Sequence, residues 1–85
     1  MKFKKAMGAT LSKCEGSFVI VYRNEVFHIN EIGARIFDLC NGKFDVDDII
    51  GKLCKVFEMK DDEKKNEIEA YLNQLLSLEL VKKVS

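Results

Sequence analysis

Few side chains in this sequence are of a type that does chemistry near neutral pH. His28 is the only histidine, and the cysteines are Cys14, Cys40 and Cys54. In number they make a Cys3His set, but zinc sites of that kind draw ligands from close pairs, and no CxxC spacing occurs here. Cys40 and Cys54 fall on the apolar sides of helical patterns, where cysteine acts as a small buried hydrophobe. The acid pairs Asp47-Asp48 and Asp61-Asp62 have the composition of a metal or proton-sharing site. Both stand at expected helix starts, where capping and the positive end of the helix dipole account for them. His28 has no partner motif that would make it a general base or a ligand. The chain also lacks a glycine-rich phosphate loop, a GxSxG elbow and an HExxH pair. The expectation is a protein with no catalytic residues, no metal and no cofactor, and not an enzyme.

The elements that would carry any other activity follow from the apolar period. Phe18-Val19-Ile20-Val21-Tyr22 and Val26-Phe27-His28-Ile29 are β-rich runs, and Arg23-Asn24-Glu25 is a short polar connection that makes them a hairpin. Asn24 tolerates the positive φ of a tight turn. Ala9 to Cys14 supplies a first strand, turning through Glu15-Gly16. After Ile29 the period becomes helical. Ile32, Ile36, Phe37, Leu39 and Cys40 share a face behind a capping Asn30, with Asn41-Gly42 closing the helix. Asp45 caps a second helix whose apolar positions are Val46, Ile49, Ile50, Leu53 and Phe57. A third starts near Asp61 or Asp62 and runs through Ile68, Tyr71, Leu72, Leu75 and Leu78 to about Leu80. Val81 to Val84 forms a short extended tail.

At 85 residues this is one domain's worth of chain, with no linker, repeat or proline to divide it. Fourteen basic and fourteen acidic residues give a formal net charge of zero, so no global field draws the chain to nucleic acid or to an anionic membrane. No uncharged run approaches the roughly 18 apolar residues of a membrane span. The basic start at Lys2, Lys4 and Lys5 is not followed by the apolar stretch of a secretory signal. An odd number of unpaired cysteines suits a reducing compartment, and the expected location is the cytoplasm.

Phe27-His28-Ile29-Asn30-Glu31-Ile32-Gly33-Ala34-Arg35-Ile36-Phe37-Asp38-Leu39-Cys40-Asn41-Gly42 resembles the PqqD-like family of peptide-binding domains, also called RiPP recognition elements. The family pattern is an aromatic, one residue, an aliphatic, Asn-Glu, a variable position, Gly-Ala, another variable position, an aliphatic-aromatic pair, and an Asp- or Asn-Gly at the helix end. Val46 and Ile49 match its second helix, and the resemblance covers about residues 9 to 82 as the core of the single domain. Two departures stand out: the cap of the second helix, often Thr in the family, is Asp45, and Glu79 occupies a position that is often Gly.

The resemblance implies an α+β, winged-helix-like fold: a three-stranded antiparallel sheet followed by three helices. It also implies binding of the leader region of a ribosomally made precursor peptide. The leader would add as a strand to the edge of strand three beside helix three, to be presented to a modifying enzyme such as a radical-SAM enzyme, a leader protease or a cyclodehydratase. The physical basis is β-augmentation, in which unpaired backbone groups give affinity and side-chain pockets give selection. On strand three, Val26 and His28 would point one way and Phe27 and Ile29 the other, one pair packing the core. On helix three, Ile68, Leu72 and Leu75 form the inner stripe, and Tyr71 widens it toward a groove rim. Lys64 and Lys65, poorly placed beside the helix dipole, would meet acidic leader residues.

A DNA-binding winged helix shares this architecture. However, residues 61–80 carry six acids against Lys64 and Lys65, a net of minus four that phosphates would repel. A chain ending at Ser85 also leaves room for one tail strand and none for a wing hairpin. A self-associating module using the open sheet edge is the other alternative.

Overall fold

The computed structural model describes residues 2–58 and 61–84, and within the last helix the side chains from Lys65 onward. The elements are β1 (Lys2–Lys5), β2 (Thr10–Cys14), β3 (Ser17–Tyr22), β4 (Glu25–Ile29), α1 (Glu31–Leu39), β5 (Asn41–Asp45), α2 (Val46–Phe57), α3 (Asp61–Ser77) and β6 (Val81–Val84). They make an α+β fold with two antiparallel three-stranded sheets, ordered β2-β3-β4 and β5-β1-β6.

The first sheet is the expected meander. Two-residue turns close both of its hairpins, Glu15-Gly16 (φ 51° and 81°) and Arg23-Asn24 (φ 50° and 64°). Positive φ at both central residues gives the turn twist that matches a right-handed strand pair. Glu25 is therefore the first residue of β4 rather than part of the connection, and it pairs with Tyr22. Alternation along β3 and β4 sends Ile20, Phe27 and Ile29 into the core, with Ile20 wholly buried.

The helices begin where the capping residues place them. Asn30 Oδ1 accepts the Gly33 N–H at 2.8 Å at the start of α1. Asp45 and Asp48 form a reciprocal capping box at the start of α2. Ile36, Phe37, Ile49 and Leu53, each no more than 1% exposed, meet Ile68, Leu72 and Leu75 of α3 in one core. Burying each such side chain is worth about 1.5–3 kcal/mol, which makes this three-helix contact the main source of stability. Cys40 and Cys54 are buried as their helical positions suggested, whereas Cys14 is exposed. Burial pushes the Cys40 thiol up to about 12, and its Sγ donates to the Ile36 carbonyl at 3.2 Å.

The second sheet departs from the sequence reading. Lys2–Lys5, read as a basic start, is its central strand, anchored by Phe3 at 6% exposure. Asn41-Gly42 does not close α1. The helix ends one residue earlier, with the Cys40 N–H bonded to the Phe37 carbonyl, and Gly42 takes φ 85° inside β5. There it accommodates the irregularity between Lys2↔Asp45 and Lys4↔Asn41. The extended tail becomes β6 and pairs with β1 in continuous register.

Helix α3 stops at Ser77, short of Leu80. The Leu80 N–H reaches the Leu75 carbonyl at 2.9 Å and the Glu79 N–H reaches Leu76 at 3.0 Å, with Glu79 at φ 61°. This is a Schellman closure with glutamate where glycine is usual.

Candidate functional site

Strand β4 pairs with β3 on one side and, among the described residues, with nothing on the other. The two-residue turn makes Tyr22–Glu25 a mutually hydrogen-bonded pair. Along the register Val21↔Val26, Ile20↔Phe27, Val19↔His28 and Phe18↔Ile29, the bonded pairs are then Ile20–Phe27 and Phe18–Ile29. The backbone N–H and C=O groups of Val26 and His28 therefore point away from the sheet, into the space where a further strand would pair.

Side chains follow the same alternation. Val26 (55% exposed) and His28 lie on the outer face, while Phe27 and Ile29 are half-buried against the core.

Helix α3 borders this edge. Tyr71 and Gln74 of α3, with Ser17 and Phe18 of β3, His28 and Ile29 of β4, and Asn30, line a cleft of about 400 Å³. An adjoining depression of about 470 Å³ shares Ser17, Phe18, Ile29 and Asn30 and extends to Lys13, Gly16 and Glu31. Tyr71 is half-buried, its ring against Gly33 and its outer face toward the cleft. A Cβ built on Gly33 would lie 3.3 Å from Tyr71 Cε1 and 3.4 Å from both Asn30 Oδ1 and Ile29 Cβ. The glycine inside α1 is thus closely packed on the side facing Tyr71.

The residues singled out in the sequence are distributed unevenly over this site. His28, Ile29 and Tyr71 meet at the cleft. Val26 contributes exposed edge backbone, and Phe27 fixes the strand from beneath. Ile68, Leu72 and Leu75 are 0%, 2% and 3% exposed. They are the packing that holds α3 in place and offer almost no surface of their own. Lys65 is exposed in the first half of α3 and is not among the residues lining the cleft. The Lys64 side chain lies outside the described residues, as do those of Asp61 and Asp62.

Phe18, Asn30, Ser17 and Gln74 line the cleft without having been singled out. Two of them carried a signal: Phe18 stands opposite Ile29 in the hairpin register, and Gln74 follows Tyr71 by one helical turn. The cleft wall is mostly uncharged, with backbone donors and acceptors along one side and the aromatic and aliphatic side chains of Phe18, Ile29 and Tyr71 on the other.

No helix among the described residues is long and apolar enough to cross a membrane. No curated protein matches the chain. Among solved structures, the fold is similar to that of "TbiB1 in Complex with the TbiA(beta) Leader Peptide", with a TM-score of 0.76 at 15% sequence identity, covering 96% of this chain and 98% of that one. At that identity the likeness is one of fold. The family model described as coenzyme PQQ synthesis protein D (PqqD) matches residues 17–81, which spans β3, β4, all three helices and the start of β6. That match takes in both walls of the cleft, and by it this chain belongs to the PqqD family.

Proposed function

We propose that this protein binds the leader region of a ribosomally synthesised precursor peptide and presents it to a peptide-modifying enzyme. The observation that carries the reading is the open β4 edge, with the backbone groups of Val26 and His28 facing outward beside the Tyr71 cleft. The leader adds as a strand to β4, and its side chains on one face enter the cleft between β4 and α3. Family membership and the likeness to a chain solved with a leader peptide support the same reading.

In this reading Ile68, Leu72 and Leu75 act from below by fixing Tyr71, and Lys64 and Lys65 attract acidic leader residues at the far end of α3. The protein supplies binding and orientation in the cytoplasm, and the covalent chemistry belongs to the partner, whether a radical-SAM enzyme, a leader protease or a cyclodehydratase.

The test is a titration of the isotopically labelled protein with the leader of a short peptide encoded beside its gene, following backbone amide shifts. Saturable shifts at Val26 to Ile29, Tyr71 and Gln74 are expected. A cognate leader that moves none of these amides overturns the reading.

A further inference from the structure

A second cleft lies between α1 and α2 and shares no residue with the groove beside β4. Its volume is about 350 Å³. Leu39 and Val56 supply the apolar surface of its floor, with the buried Leu53 behind them, and Arg35, Asp38, Lys52 and Lys55 stand around it. Two features set this surface apart from an ordinary helix junction.

Val56 is 59% exposed although aliphatic, and it lies outside the buried stripe of α2 formed by Ile49, Ile50, Leu53 and Cys54. It does nothing for the core and enlarges the apolar surface at the cleft. The charge is also one-sided. The one acid, Asp38, has its carboxylate 3.7 Å from Lys5 Nζ, a cation that does not line the cleft. Even with Asp38 counted in full, three cations against one acid leave a net positive charge around the apolar floor. Lys52 is further fixed over the Phe44 ring, 4.6 Å from its centroid. In a chain of zero net charge this is a local concentration of positive potential over exposed aliphatic carbon.

The geometry points to a docking site for a protein segment that carries acidic side chains around one or two bulky apolar anchors. The anchor fills the space over Leu39, Leu53 and Val56, and carboxylates meet Arg35, Lys52 and Lys55 at the rim. A desolvated apolar centre ringed by complementary charge is the usual anatomy of a specific, reversible contact. Assigning that segment to the modifying enzyme rests on the proposed carrier function; the charge and shape of the cleft do not. Because the two sites share no lining residue, a leader bound beside β4 would leave this one open.

The probe is a synthetic helical peptide with leucines on one face flanked by glutamates, and its counterpart with lysine for each glutamate serves as control. Each is titrated into the full, isotopically labelled protein, with and without leader peptide. The glutamate peptide is expected to shift Leu39, Leu53, Lys55 and Val56 saturably, to bind more weakly as salt is added, and to lose about tenfold in affinity in Arg35→Glu or Lys55→Glu. Val56→Asp is expected to abolish the shifts while distant amides keep their positions, which separates lost docking from lost folding.

The proposal is overturned if the lysine peptide binds equally well, or if the shifts fall only on β4 and α3. It is also overturned if these same amides move with protein concentration alone, or with a DNA duplex or anionic vesicles in preference to the glutamate peptide. Failure of the leader to bind β4 would remove the carrier reading while leaving the glutamate-peptide result interpretable.

Discussion

The ring of Tyr71 packs tightly against Gly33: a Cβ there would lie 3.3 Å from Tyr71 Cε1. Glycine in a helix costs about 1 kcal/mol relative to alanine, so the sequence accepts a weaker α1 in exchange for the seating of an aromatic ring on α3. Gly33→Ala sets these effects against each other. Its unfolding free energy is expected to change by less than about 1 kcal/mol, because helix propensity offsets the crowding. Tyr71, however, must tilt outward into the cleft. Leader affinity should therefore fall about fivefold, near 1 kcal/mol, with the fold intact. Anisotropy of a labelled leader measures the affinity, and an unchanged value would remove Tyr71 from the binding surface.

The β4 register makes a sharper demand. Val26 and His28 direct their N–H groups away from β3, whereas the N–H of Phe27 belongs to the ladder. Val26→Pro and His28→Pro each delete an outward donor and are tolerated as edge prolines. Phe27→Pro breaks a bond to Ile20. Leader binding is expected to disappear in the first two variants while far-ultraviolet circular dichroism stays native. Phe27→Pro should lower the unfolding midpoint sharply, because it deletes a ladder hydrogen bond inside the hairpin. Normal binding by both outer variants would show that the leader does not pair with this edge.

The contrast between the two sheets shows what the sequence could reveal. The β2-β3-β4 meander was legible because its signals are local: β-rich runs joined by short polar turns, with side chains alternating between faces; that the second turn has two residues and that Phe27 and Ile29 are the inward pair came from the structure. The β5-β1-β6 sheet was not. Lys2-Phe3-Lys4-Lys5 has one apolar residue, and it pairs with Asn41–Asp45 and Val81–Val84, partners distant in sequence. Only tertiary contacts such as the Lys5 N–H to Cys40 carbonyl bond, at 3.0 Å, and the Ala6 N–H to Leu80 carbonyl bond, at 2.9 Å, hold that strand centrally. At the cleft, Tyr71 and the β4 residues were accessible to pattern reasoning because edge and rim positions have periodic signatures. Ser17 and Asn30 adjoin the Phe18–Ile29 pair in the hairpin, but that this end of the hairpin shares a cleft with Tyr71 and Gln74 is a tertiary relation that local spacing does not encode.

The capping box of α2 predicts a pH dependence. The Asp48 N–H donates to Asp45 Oδ1 at 2.9 Å, and this bond chiefly holds the Asp45 carboxyl below its usual 3.8. A carboxyl with a lower pKa folded than unfolded contributes stability that is complete above its unfolded value and is lost as pH falls through the lowered one. Asp45→Asn keeps an oxygen acceptor for the cap but does not titrate. The stability difference between the natural protein and Asp45→Asn should therefore shrink as pH is lowered from about 6 to about 3, read from urea midpoints at each pH. A difference that stays constant would show that the cap acts without its charge. The carboxylate is partly exposed, so the effect is also expected to weaken with added salt.

Glu79 presents the clearest opportunity to strengthen the fold. It closes α3 with φ 61°, a conformation that crowds the Cβ of an L-residue and costs about 1–2 kcal/mol. The turn cannot relax elsewhere, because it delivers Leu80 and Val81, 0% and 2% exposed, into the core and starts β6. Glu79→Gly removes the crowding. It also loosens the unfolded chain, which returns about 0.4–1 kcal/mol of the gain. The net expectation is a stabilisation of about 0.5–1 kcal/mol, visible as a thermal midpoint a few degrees higher. Glu79→Ala serves as the control: it deletes the same carboxylate but keeps a Cβ, so it should give none of this gain. Equal stabilisation by alanine and glycine would mean that the charge, and not the left-handed backbone, is the unfavourable element at this turn. If only glycine stabilises, the penalty belongs to the backbone, and the same substitution at Glu58, which ends α2 at φ 53°, should add independently because the two turns share no partner.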